Sequence, residues 1–259
     1  MLLADSASAP HKPRILPGSW RPQYPWEHIA WINPPWDNED FIWLDFPEAI
    51  FTGQGLLYLS HINPLFPVRF PDLPPVNWSQ SAGKTHYERT LPNGVSFRGS
   101  LTADERQCVR LTLAITNGSD ELLTDIRLQT CLFLRAYYQL STYTWDNKFI
   151  HTREQGWVNL ENARANTQEN GRYRFGWRGG HKIADLPVMA CQATDDHLVA
   201  FSWLQDTYSL ISNPKHPCIH ADPAVPDLEP GASYELHGEI FFTDHGLKEI
   251  EQRYEQTHP

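Results

Sequence analysis

The chain has 259 residues and a mass of 29.8 kDa, with 41% hydrophobic and 20% charged residues. That is a globular composition, and a core of this size needs no disulfide or metal to fold. The net charge of −10 argues against nucleic acid, since phosphate binding rests on clustered cations. No apolar run approaches the roughly 18 residues of a membrane helix, so no membrane partner is expected. Met1–Pro10 carries no basic region followed by a long apolar one, which predicts a cytoplasmic chain.

Residues 10–36 are dense in proline and contain Trp20, Trp26, Trp31 and Trp36. Proline at this density blocks long helices and favours extended backbone. Residues 1–40 are read as an arm packed on a β-sandwich formed by residues 41–259. The indole rings either pack the arm down or, for one or two of them, offer a flat apolar surface for a sugar.

From residue 41 the hydrophobic period becomes two. Phe41–Phe46 and Gly55–Ser60 read as buried strands, and residues 63–78 as a proline-rich ordered loop. Lys84-Thr85-His86-Tyr87-Glu88-Arg89 follows. In a strand His86 and Glu88 share one face, Tyr87 and Arg89 the other. His86 and Tyr87 are candidate proton carriers and Arg89 a carboxylate clamp. The other reading is a polar edge strand.

Val95–Leu101 and Val109–Ile115 alternate apolar and polar residues, and so do Ile126–Leu134. Asn117-Gly118-Ser119-Asp120 lies between the last two runs, predicting a β-hairpin or a sandwich corner. Tyr137–Trp145 reads as a further strand, with Tyr143, Trp145 and Arg153 as candidate sugar-binding residues or, for the aromatics, core packing. More strands are expected at Trp157–Leu160, Arg172–Trp177, Val188–Ala193, Leu198–Leu204 and Tyr234–Phe242. Trp177-Arg178-Gly179-Gly180-His181-Lys182 offers a flat ring, cations and a close backbone approach, a fit for an anionic sugar. Trp177 and Arg178 are candidate substrate contacts and His181 a candidate catalytic group. A tight hairpin turn is the alternative.

Among twelve histidines, His216 and His220 fall in a proline-stiffened stretch, residues 213–223. In extended backbone His216, Cys218, His220 and Asp222 point to one side. His216, His220 and Asp222 could ligate a divalent metal, with Cys218 suiting zinc, or Asp222 could orient His220 as a proton carrier. A loop whose histidines bond to backbone is the third reading. Cys108, Cys131 and Cys191 sit in apolar runs and read as buried free thiols. Leu247, Ile250 and Tyr254 define a helix over residues 245–256, with Asp244 as its cap.

Many short strands and one terminal helix predict an all-β protein, a single-domain antiparallel β-sandwich of supersandwich or jelly-roll type. Residues Val95–Leu101, Val109–Asn117, Gly118–Leu123 and Asp125–Ala136 resemble the first half of galactose-mutarotase-like β-supersandwiches. Pro226–Tyr234 and Ile240–Phe242 resemble that fold's closing strands. The Asn-His dipeptide of family members has no counterpart here, so the resemblance implies a fold rather than an activity. The chain is expected to act on a carbohydrate by acid–base chemistry as a lyase, epimerase or hydrolase. A non-catalytic carbohydrate-binding module and a metal-dependent enzyme are the alternatives.

Overall fold

The computed structural model describes residues 12–19, 26–36, 39–81, 83–104, 107–164, 173–176, 184–212 and 217–257. The first strands are β1 (Arg14–Gly18), β2 (Ile29–Asn33), β3 (Ile42–Thr52), β4 (Gly55–Leu59), β5 (Trp78–Ser81) and β6 (Lys84–Thr90). Then come β7 (Ser96–Ala103), β8 (Cys108–Thr116), β9 (Ile126–Phe133), β10 (Lys148–Thr152), β11 (Gly156–Asn159) and β12 (Tyr173–Gly176). The chain continues through β13 (Ala184–Gln192), β14 (Leu198–Ser202), β15 (Thr207–Ser212), β16 (Cys218–Val225) and β17 (Ser233–Thr243). Two α-helices are present among the described residues, α1 (Leu160–Arg164) and α2 (Leu247–Thr257). Neither is long and apolar enough to cross a membrane.

The strands form two antiparallel sheets. Sheet one runs β1-β2-β3-β9-β16-β15-β12, with β4 also paired to β3. Sheet two runs β11-β10-β13-β14-β17-β8-β7-β6-β5. The protein is an all-β antiparallel sandwich, as the alternating runs predict. Phe97 and Leu101 of β7 and Leu111, Leu113 and Ile115 of β8 point into one core with Leu44, Leu128, Leu132, Ile219 and Ala221 of sheet one. Burying each large side chain there contributes about 1.5–3 kcal/mol.

The Asn117–Asp120 turn is a sandwich corner rather than a hairpin, because β8 lies in sheet two and β9 in sheet one. At Gly118 a Cβ would sit 2.2 Å from the Gly94 carbonyl oxygen, so two backbones cross where no side chain fits. The buried Asn117 side chain donates to the Glu121 and Leu228 carbonyls at 2.8 Å each. Its backbone N–H bonds to Ala232 O at 2.9 Å, and its carbonyl accepts from Gly231 N–H at 2.6 Å. The corner and the Pro-Gly turn before the last strand therefore clasp each other.

Tyr137–Trp145 is not a strand. It contains a single 3-10 turn at Tyr138–Leu140 and is otherwise irregular, its aromatic residues serving different surroundings. Residues 14–18 and 29–33 of the proline-rich arm are strands of sheet one. Helix α2 starts at Leu247 and packs Ile250 and Tyr254 on the outer face of sheet two, against Cys108, Val188, Ala200 and Phe241. Thr243, not Asp244, holds its entry: the hydroxyl accepts from His245 N–H at 2.9 Å and donates to the Glu249 carboxylate.

Candidate functional site on the outer face of sheet one

Core residues Leu44, Leu132, Ile219 and Ala221 alternate with neighbours that point the other way, out of the sandwich. Register aligns these outward neighbours in rows across β2, β3, β9 and β16. One row is Trp31, Trp43, Phe133 and Cys218. The next is Ile29, Asp45, Cys131 and His220, with Asp222 two residues further along β16.

The first row is an aromatic ledge. Trp31 and Trp43 stack with centroids 6.2 Å apart at 20°, Trp43 and Phe133 are 6.0 Å apart, and Phe41 lies 6.0 Å from Trp31. The Trp31 ring lies over Gly18, where a Cβ would come within 2.2 Å of the indole nitrogen. Only glycine leaves room for the ring in this position.

Beside the ledge, on the β3–β4 edge, stands a chain of hydrogen-bonding groups. The Ser60 hydroxyl donates to Asp45 Oδ2. It has a single proton, so toward His61 Nδ1 at 3.3 Å it can only accept. Nδ1 therefore carries the imidazole proton, which also faces Glu48 Oε1 at 3.7 Å. A neutral ring so held is an acceptor at Nε2. The His61 side chain is 19% exposed and that of Glu48 15%, so this chain reaches the surface.

On the β16 side His220 Nδ1 stands 3.5 Å from Asp222 Oδ1, too long for a well-formed bond. Asp222 Oδ1 is fixed by the Thr130 N–H at 2.9 Å. His220 and Asp222 are both buried. Donor atoms of Cys131, Cys218 and His220 all lie within 4.8 Å of one another. Burial opposes the imidazolium of His220, but the Cys218 sulfur and the Asp222 carboxylate outweigh it and hold the ring's pKa well above its ordinary value. The hydrogen bond with Cys218, burial and the nearby Glu48 and Asp45 carboxylates push the Cys131 thiol up.

The other residues singled out in the sequence go elsewhere. Trp177, Arg178, His181 and His216 lie outside the described residues. Tyr87 and Arg89 point between the sheets, 1% and 5% exposed. There the Tyr87 hydroxyl donates to Phe46 O, and Arg89 donates to Trp26 O at 2.9 Å and Pro74 O at 3.1 Å. Both are engaged with backbone in the core, on a different sheet from His220. His86 is on the opposite face of β6, outside sheet two. Trp145 is buried in the core, Tyr143 is 53% exposed, and Arg153 is exposed in the turn after β10. These three do not form one surface. A depression on the outer face of sheet two carries Glu88, Arg98 and Glu235, with Arg98 3.5 Å from Glu235, but no histidine, thiol or tryptophan.

Of the expected pairs, the structure brings together His220 and Asp222. It adds Asp45, Glu48, Ser60, His61, Trp43 and Cys131, which the sequence reading did not assign to a site. The signal for Asp45 was its place two residues from Trp43 in a strand, which puts both on one face.

No protein-family model and no curated protein sequence matches the chain. Solved structures do show a likeness. A candidate aldose 1-epimerase from Escherichia coli K12 is 10% identical, with 89% of this chain and 99% of that one covered and a TM-score of 0.47. Galactose 1-epimerase from Lactobacillus acidophilus is 9% identical over 90% and 99% of the two chains, with a TM-score of 0.42. A GalM/aldose epimerase homologue from C. elegans is 8% identical over 76% and 78%, with a TM-score of 0.40. With TM-scores below 0.5, these names describe those proteins and carry no argument for this one.

Proposed function

We propose that the outer face of sheet one binds a sugar and acts on it by proton transfer. The observation that carries this reading is the adjacency of two rows, the ledge of Trp31, Trp43 and Phe133 and the row of Asp45, Cys131 and His220. A sugar ring has apolar faces that stack on indole and a rim of hydroxyls that needs polar partners. Adjacent strands are about 4.8 Å apart, so Asp45 and His220, two strands apart, stand roughly 10 Å from each other along the sheet. A sugar lying over Cys131, which stands between them in the row, reaches toward both the β3–β4 edge and β16.

His61 is the proton acceptor in this scheme. Ser60 and Glu48 fix its tautomer, and Glu48 stabilises the imidazolium that forms. Asp45, bonded to Ser60, holds the hydroxyl that orients the ring. The β16 side, with Asp222 and the Cys131–Cys218–His220 group, faces the other edge of the sugar. A base on one edge and a polar wall on the other is what epimerases and lyases need.

The test is a panel of mono- and oligosaccharides incubated with the protein in D2O and followed by NMR and mass spectrometry. The expected result is proton exchange, epimerisation or an unsaturated product from at least one sugar. His61→Gln should slow turnover by about 10²–10⁴ with binding retained, and Trp43→Ala should weaken binding. Binding without any turnover would make the face a carbohydrate-binding module. No binding across the panel would overturn the reading.

A further inference from the structure

We infer that Cys131, Cys218 and His220 form a binding site for one thiophilic divalent cation, with zinc as the best chemical match. The two sulfurs and the imidazole come from neighbouring strands β9 and β16, and their donor atoms lie within 4.8 Å of one another. Two thiolates and a histidine are an established kind of zinc ligand set. With zinc–sulfur bonds near 2.3 Å and zinc–nitrogen bonds near 2.0 Å, tetrahedral donors sit roughly 3.5 Å apart. Small side-chain rotations close the remaining gap.

The competing use of two neighbouring thiols is a disulfide, and register disfavours it. Cys131 is opposite His220, and Cys218 is opposite Phe133, so the two cysteines occupy diagonal positions. Diagonal positions are about 7–8 Å apart, beyond the roughly 6.8 Å that disulfide α-carbons span. A cation bridges that distance without moving the backbone.

The surroundings also call for positive charge. Asp45, Glu48 and Asp222 stand close to the group. His220 Nδ1 is buried and makes no hydrogen bond. The remaining cysteines mark the contrast: Cys108 and Cys191 stand apart from this group, buried on sheet two. They are inert core thiols, whereas Cys131 and Cys218 share their space with an imidazole.

Three protein ligands leave a fourth position for water or for an oxygen of the substrate. That role, polarising a sugar oxygen opposite His61, rests on the function proposed above, but the binding of the cation does not. The closing experiment therefore reads metal alone, without sugar. The full chain is incubated with Zn²⁺ and dialysed, and a second sample is titrated with Co²⁺. About one zinc per chain should be retained, and Co²⁺ should give the sulfur-to-metal charge-transfer absorption of thiolate ligation. Cys131→Ser and Cys218→Ser should each lower affinity by at least about 10-fold, and Cys191→Ser should leave it unchanged. Because a serine at either buried position could prevent folding, the cobalt spectrum of the unaltered chain stands as an independent readout. Absence of the charge-transfer band in the unaltered chain overturns the site. So does an unchanged band in a Cys218→Ser variant that circular dichroism shows to be folded. Sugar turnover in a chain that binds no metal would sink this site and spare the proposed function. Metal binding without any sugar binding would do the reverse.

Discussion

His28 shows how one residue sets the protonation state of a whole buried group. Its Nε2 lies 3.2 Å from Phe46 O, which can only accept, so Nε2 carries the proton. Nδ1 is then an acceptor and takes the Tyr58 hydroxyl proton at 2.8 Å. Phe46 O uses its second lone pair for the Tyr87 hydroxyl, and the Tyr87 ring packs on His28 at 4.3 Å. Protonating His28 would leave Tyr58 only the Trp26 carbonyl at 3.5 Å as acceptor and place a second cation near Arg89 in the core. Burial, and after it Arg89, lower its pKa to about 3. The unfolded chain binds this proton below about pH 6.5 and the folded chain does not, so stability falls with pH between roughly 6.5 and 3. The full contribution is present above pH 6.5, and the slope for this one group is about 1.4 kcal/mol per pH unit. Urea unfolding across this range should give a shallower pH dependence for His28→Gln than for the unaltered chain, by about one proton. Parallel curves would mean that His28 does not stay neutral in the fold.

At the scale of elements, Asn117 does the work of a strand-to-strand clamp. Asn117→Ala removes the bonds to the Glu121 and Leu228 carbonyls and the two that Oδ1 accepts from Ser119, and leaves the buried Leu228 carbonyl without this donor. A loss of about 2–3 kcal/mol is expected, read as a lower urea midpoint with an unchanged slope. A loss under about 0.5 kcal/mol would show that water replaces the side chain there. Asn117-Gly118-Ser119 is also an Asn-x-Ser sequon, and the burial of Asn117 argues against its glycosylation in the folded chain. The strands around it were legible because each shows one face to the core and the other to water. β15 and β16 were harder to see, since residues on both faces of β16 are buried and its polar residues break the apolar run. The extended-backbone reading of residues 213–223 still placed Cys218, His220 and Asp222 on one side, as they are in β16. Cys131, Asp45 and His61 were out of reach for another reason. Cys131 and Asp45 share a row with His220, and His61 lies beside β3, only because the sheet orders its strands β3-β9-β16 with β4 paired to β3, an order that no local pattern encodes. Tyr87 and Arg89 illustrate the opposite limit. Alternation correctly put them on one face of β6, but not which face was the core.

The whole molecule divides its labour between two outer faces. Sheet one presents the aromatic and polar rows, while sheet two seats α2. The seat is polar at its centre: Glu239, 2% exposed, receives Arg253 through two bonds of 2.8 Å and Arg110 at 2.6 Å. Arg253 also lies 4.3 Å above the Phe241 ring. Burial alone would raise the Glu239 carboxyl, but Arg253 and then Arg110 outweigh it and hold its pKa below the ordinary carboxylate range. Removing the carboxylate takes from Arg253 its two bonds of 2.8 Å, while Arg110 keeps Asp104 at 3.4 Å and reaches water more easily. Glu239→Ala should therefore cost about 3 kcal/mol and loosen α2, seen as faster amide exchange in residues 247–257. The core of the sandwich separates this network from the ligand face, and distant sites without shared partners act additively. Metal and sugar binding measured well below the lowered melting temperature should thus stay within a few-fold of the unaltered chain. A Glu239→Ala chain that is folded but has lost either ligand would show that the two faces are coupled through the core.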